Sequence, residues 1–142
     1  MNTRQKAEIA QLKVELRAAE KGWITSRTNE GSRYDVVLDD GKKLFRVQVK
    51  YGGYEGGHAT GAVIVDLRKY QGDDRNRQVK RSKRKLYSKS EIDCLLVYLP
   101  QVDKVCWIKA DMFDSKTEVT LRFKPPKNGQ KKGVNLVEDF VW

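Results

Sequence analysis

Near the start of the chain, Ile9, Leu12, Leu16 and Ala19 recur at helical spacing, with good helix formers between them and Gly22 placed as a stop. This pattern predicts an amphipathic helix over residues 4–21. From residue 23 the period falls to two. Residues 23–27 read as a short strand, and residues 32–50 as two strands around Asp39-Asp40-Gly41-Lys42, because Asp-Gly accommodates the positive φ angles of a tight hairpin turn. Alternation along the second of these strands places Phe45, Val47 and Val49 on one face and Leu44, Arg46, Gln48 and Lys50 on the other. Glycines 52, 53, 56, 57 and 61 mark a loop, after which residues 62–67 are apolar enough for a buried strand. Further strands are predicted at 92–99, 104–110 and 119–123, and a second helical stretch within 70–90. The pattern therefore predicts a single α/β domain over residues 1–142, with a central mixed β-sheet flanked by helices.

Composition narrows the class. The 142 residues are 39% hydrophobic and 34% charged, which is globular composition. No apolar run approaches the roughly 18–20 residues of a membrane span, and the first residues carry charge without the apolar stretch of a secretory signal. Residence in the cytoplasm is expected, with nucleoid association when the protein is on DNA. Cys94 and Cys106 lie in apolar strand-like stretches and are expected as reduced thiols. The formal charge of +10 is the stronger clue. It points to a polyanion, and to nucleic acid before a membrane surface, since no basic amphipathic helix with a broad apolar face is present. Eight basic residues and no acidic one fall within residues 75–89, a block that repels itself unless an anion is bound.

The hairpin carries the candidate chemistry. With a two-residue Asp40-Gly41 loop, opposed residue numbers sum to 81, so Asp35 stands opposite Arg46 and diagonal to Gln48, with Lys50 two residues further on the same face. Diagonal cross-strand positions sit about 7–8 Å apart, close enough for two side chains to reach one ion. A carboxylate, a second oxygen ligand and an ammonium on one face suit metal-assisted phosphodiester hydrolysis, with magnesium the natural hard cation. The same residues also fit an ordinary cross-strand ion pair and a solvated sheet face, worth roughly 0.2–1 kcal/mol. Glu8 adjoins the apolar stripe of the first helix, and Glu15 and Glu20 are rivals by the same geometry. His58 is the only histidine, which excludes a His-rich metal site.

Taken together, Arg33-Tyr34-Asp35 and the downstream Gln48-Val49-Lys50 resemble the core of the PD-(D/E)XK nucleases, specifically group I intron-encoded homing endonucleases in which Gln replaces the middle acid. Lys6-Ala7-Glu8-Ile9-Ala10 resembles the acidic motif of that family's first helix, and Ser90-Glu91-Ile92-Asp93 the start of a later strand. Pro125-Pro126-Lys127-Asn128-Gly129-Gln130-Lys131-Lys132-Gly133, followed by Glu138-Asp139, resembles its C-terminal signature. The resemblance implies a restriction-endonuclease-like core and divalent-metal hydrolysis with Mg2+ or Mn2+. In it Asp35 is the central ligand, the Val49 carbonyl and Glu8 complete the metal site, Gln48 takes the usual Glu position and Lys50 orients the attacking water. Tyr34 stands where the name-giving Pro would be. A neutral Gln48 also removes one negative charge and leaves the number of metals open.

In such an enzyme, specificity comes from groove contacts. Arg75, Arg77, Arg81 and Arg84 are candidates for guanine, Asn76 and Gln78 for adenine, and Lys80, Lys83 and Lys85 for phosphate. Lys127, Lys131 and Lys132 form a second basic cluster. Cutting both strands of a long site in double-stranded DNA implies a homodimer or homotetramer, and Phe140-Val141-Trp142 suits either a subunit interface or the core. The expected function is a site-specific homing endonuclease promoting intron mobility. A Holliday-junction resolvase on the same core and a non-catalytic intron-RNA-binding protein are the alternatives.

Overall fold

In the computed structural model, which describes residues 1–53, 61–69 and 85–142, helix α1 (Thr3–Glu20) opens with a reciprocal cap. The Asn2 side chain accepts the Gln5 N–H, and the Gln5 side chain accepts the Asn2 N–H, each at 2.9 Å. The helix buries a different stripe from the one its large apolar residues suggest. Ala10, Val14 and Ala18 are fully buried, whereas Leu12 and Leu16 are 51% and 55% exposed. Small side chains at i, i+4 and i+8 let the backbone lie close to the sheet beneath, and that close approach outweighs the two leucines left in water.

After α1 come β1 (Ile24–Arg27), β2 (Val36–Asp39), β3 (Leu44–Tyr51), β4 (Ala62–Asp66), β5 (Arg68–Lys69), β6 (Lys85–Leu86), β7 (Cys94–Leu99), β8 (Lys104–Lys109), α2 (Ala110–Phe113) and β9 (Glu118–Arg122). Five strands form the main sheet in the order β1-β2-β3-β7-β8. All its neighbours are antiparallel except β3 and β7, which run parallel, so the sheet is mixed as expected. Beneath α1 lie Val36, Leu38, Val47, Val49, Cys94 and Leu96. The opposite face carries Leu95, Val97, Cys106 and Ile108, covered by the β4–β9 ribbon through Val63, Val65, Val119 and Leu121, and by Phe113 of α2. All six residues of β7 are buried, as the unbroken apolar run Cys94-Leu95-Leu96-Val97-Tyr98-Leu99 requires of a strand covered on both faces. Cys94 and Cys106 are free and lie in the two different core layers. Among the described residues no helix is long and apolar enough to cross a membrane.

Two expectations change. Of the helical stretch expected within 70–90, residues 70–84 lie outside the described residues and Lys85–Leu86 is a strand, paired antiparallel with β5. The β2–β3 loop has four residues, not two. Asp39 pairs with Leu44, and the Asp40 carboxylate accepts the N–H groups of Lys42 and Lys43 at 2.8 and 2.7 Å, while Asp39 accepts that of Gly41 at 2.8 Å. These aspartates satisfy the backbone of a wider turn, with Gly41 at φ +92°. Phe140-Val141-Trp142, for which the sequence leaves both an interface and the core open, makes contacts within the chain. Trp107 N–H donates to Phe140 O and Trp142 N–H to Val105 O, so the tail extends the sheet beyond β8. The Trp142 ring meets Trp23 and Trp107, and Arg17 Nε donates to Trp142 O at 2.7 Å.

Candidate active site

The wider loop moves the cross-strand partners. Val36 pairs with Val47 and Val37 with Arg46, so opposed numbers sum to 83 and Asp35 comes opposite Gln48. The backbone of Asp35 is held on both sides. Its N–H donates to Val47 O at 2.8 Å, and its carbonyl accepts the Thr28 N–H at 3.1 Å. On the side chain, Oδ2 accepts the Gln48 Nε2–H at 2.7 Å and the Val49 N–H at 2.9 Å. Burial raises the Asp35 carboxyl above the ordinary carboxylate range, opposed by the Val49 N–H and the charge of Lys50.

Gln48 and Lys50 share the β3 face that points away from α1, as the alternation predicts. Lys50 Nζ lies 5.1 Å from the centroid of the Tyr87 ring. Tyr87 is 2% exposed, and its phenol is pushed up by burial first and then by Asp35 and Asp66. Asp66 closes β4 and accepts Arg68 N–H and Nε–H, each at 3.0 Å. Asp35 with Gln48, and Lys50 with Tyr87, are thus the two contacts that order this face.

Arg46 is not a partner of Asp35. Its guanidinium meets Asp93 at 2.9 and 3.1 Å and the Ser90 carbonyl at 2.9 Å, while Asp93 Oδ2 also accepts the Arg46 backbone N–H at 2.7 Å. The register shift by two residues gives Asp35 to Gln48 and leaves Arg46 to the acid at the start of β7. Glu8, the other expected ligand, is engaged by an arginine. Its carboxylate lies on Arg27 of β1 at 3.0 Å, with Glu15 on the same guanidinium, and Arg27 holds Glu8 below its ordinary range. Gln11, one turn further along α1, reaches Asp35, whose carbonyl its Nε2 meets at 3.4 Å.

Of the remaining predicted residues, Lys85 is paired with Glu91 at 3.2 Å, and Arg33 reaches the same carboxylate at 3.4 Å, whose side chain is only 9% exposed. Lys127, Lys131 and Lys132 are exposed. His58, Arg75, Asn76, Arg77, Gln78, Lys80, Arg81, Lys83 and Arg84 lie outside the described residues. Reading the sequence missed Tyr87 and Arg27, since neither an aromatic inside a basic block nor a lone strand arginine carries a spacing signal. Asp93 stood within Ser90-Glu91-Ile92-Asp93, but with no role attached.

Among the described residues no three His, Cys, Asp or Glu side chains converge on one point. A cation here would rest on Asp35 together with neutral oxygens. The donor set still fits a hard divalent ion: a partly buried carboxylate whose ionised form desolvation disfavours gains from a cation beside it.

A sequence model of the PD-(D/E)XK endonucleases matches residues 1–142. The chain belongs to the PD-(D/E)XK endonuclease family. Among solved structures, the bacterial homing endonuclease I-Ssp6803I is similar over 99% of this chain and 89% of its own, at 22% identity and a TM-score of 0.76. That is a likeness of fold. Hjc, a Holliday junction resolvase from Archaeoglobus fulgidus, matches over 82% of this chain and 84% of its own, at 11% identity and a TM-score of 0.47. No curated protein matches by sequence. The family match over the whole chain and the likeness of fold to the homing endonuclease thus agree on the fold of this mixed sheet.

Proposed function

We propose that this PD-(D/E)XK protein is a divalent-metal-dependent, site-specific homing endonuclease that cuts both strands of duplex DNA and so promotes mobility of a group I intron. The observation that supports this reading best is Asp35 itself: a partly buried carboxylate held opposite Gln48, with the Lys50 ammonium on the same face. Asp35 and the Val49 carbonyl would hold Mg2+ or Mn2+, with Glu8 joining on release from Arg27. The bound ion supplies Lewis-acid activation of the phosphodiester and charge compensation at phosphorus.

The chain's own residues do the rest. Gln48 donates its NH2 to Asp35 and fixes the carboxylate rotamer, a task that Glu in its place could not perform while both acids are ionised. Lys50 orients the water for in-line attack and offsets negative charge on the phosphorane. Arg75, Arg77, Gln78, Arg81 and Arg84 read bases, and Lys80, Lys83, Lys85, Lys127, Lys131 and Lys132 grip phosphates. Two or four copies of the chain are needed to cut both strands of a long pseudo-palindromic site.

The test uses genomic DNA from an intronless host strain, incubated with the protein in magnesium or in EDTA, with all new ends sequenced. One reproducible double-strand break at the intron insertion site, in magnesium alone, is expected. Asp35→Ala and Lys50→Ala should still bind the duplex but cut it at least about 1000-fold more slowly. Undiminished cutting by both variants would sink the site assignment. Cleavage of four-way junctions with linear DNA left intact would establish a resolvase instead, and tight intron-RNA binding without nicking a non-catalytic role.

A further inference from the structure

The Lys50 side chain has four rotatable bonds, and an ammonium that must meet one water or one phosphate oxygen needs something to limit its freedom. The structure supplies a surface for it. The Tyr87 ring lies 5.1 Å from Lys50 Nζ, within the roughly 6 Å at which an aromatic face attracts a cation. Tyr87 is 2% exposed and sits in the core layer with Leu67, Ile92 and Leu95, so the ring itself has little freedom. Its carbonyl accepts the Ser115 N–H at 3.0 Å, which ties the backbone just past β6 to the end of α2.

We infer that Tyr87 is a positioning residue for the reaction, its buried ring acting as the seat that aims the Lys50 ammonium at the attacked phosphate. This rests on the nuclease reading proposed above. It also links two parts of the molecule. Tyr87 follows β6 directly, and β6 is locked to β5 through Arg68 with Leu86 and Lys69 with Lys85. Residues 70–84, which carry most of the basic block, are therefore bracketed by a strand pair whose next residue is the seat of the catalytic lysine.

Three variants test this: Tyr87→Phe, which keeps the ring; Tyr87→Leu, which removes it; and Leu67→Ala, which damages the same core layer without touching Lys50. The first readout needs no cleavage. The Lys50 Hε resonances, assigned with Lys50→Arg, should lie upfield of those of exposed lysines in the wild type and Tyr87→Phe, and return to the ordinary position in Tyr87→Leu only. The second is steady-state cleavage of the mapped duplex. Tyr87→Leu should lose about tenfold or more in kcat with KM unchanged, Tyr87→Phe should restore kcat, and Leu67→Ala should lower Tm while leaving kcat in place. The inference is overturned if Lys50 Hε is indifferent to the ring, or if Tyr87→Phe is as slow as Tyr87→Leu, which would assign the effect to the hydroxyl. A kcat loss in Leu67→Ala equal to that in Tyr87→Leu would also overturn it, by reducing Tyr87 to core packing. A wild type that cuts no DNA defeats the nuclease reading, and the resonance shift still decides the seat.

Discussion

At position 48 a single amide decides the character of the site. Gln48 Nε2 and Asp35 Oδ2 are 2.7 Å apart, a distance at which two carboxylates cannot both stay ionised without a cation between them. Burial already holds Asp35 above the ordinary range. Gln48→Glu is therefore expected to raise one carboxyl of the pair well above its unfolded value. A carboxyl raised in the folded state binds protons that the unfolded chain has released, so the stability it provides is present below about pH 4 and is lost as pH rises through the folded value. In EDTA at pH 7 the variant should be less stable than the wild type by roughly 1–3 kcal/mol, and the gap should close toward pH 4. Magnesium should stabilise the variant more than the wild type. Thermal melts across pH, with and without the ion, check all three outcomes. Melts that overlay the wild type in EDTA would show that the two side chains part when both are charged.

Among the elements, strand β3 was the most legible from sequence and its loop the least. Period-two alternation correctly separated Phe45, Val47 and Val49 from Arg46, Gln48 and Lys50, because one face of that strand is buried under α1 and the alternation records it. The partner register was not legible. Asp-Gly permits a two-residue turn, but Asp39 and Asp40 spend their carboxylates on the N–H groups of Gly41, Lys42 and Lys43, and the loop opens to four residues. In α1 the periodicity is weak because alanines at 10 and 18 bury as well as leucines would, and they allow closer packing. The register shift creates the Arg46–Asp93 clamp, which joins the start of β7 to β3 at the parallel pairing of the main sheet. Arg46 holds Asp93 below its ordinary range. A depressed carboxylate contributes stability above its unfolded value, near pH 4, and loses it as pH falls through the lower folded value. Asp93→Asn should destabilise by about 1 kcal/mol at pH 7, an amount set by a partly exposed ion pair, and by progressively less below pH 4. A penalty that persisted undiminished at the lowest pH would mean that the amide geometry, rather than the charge, was lost.

For the whole molecule, six acids among the described residues are held in local ion pairs, while lysine and arginine outnumber aspartate and glutamate 29 to 19 over the chain. Glu8 and Glu15 lie on Arg27, Asp93 on Arg46, Glu91 on Arg33 and Lys85, Asp66 on Arg68, and Asp103 on Lys13. Lys127, Lys131 and Lys132 remain exposed on the segment after β9, which Arg122 and Asn135 pin to the fold by a backbone hydrogen bond of 2.8 Å. A rigidly rooted segment with three exposed lysines can meet phosphates along one stretch of duplex, and each phosphate neutralised releases condensed counterions. Replacing all three lysines by alanine should therefore make log K against log salt shallower by about 0.9 for each phosphate no longer neutralised, up to roughly 2.7. A lysine that meets a phosphate reads no sequence, so the position of the cut should not move. Binding titrations of the mapped duplex between low and physiological salt measure the slope, and sequencing of the cut ends measures the position. A slope identical to that of the wild type would remove this segment from the interface and leave the basic excess to residues 75–85, whereas a displaced cut would show that these lysines set the register of the protein on its site.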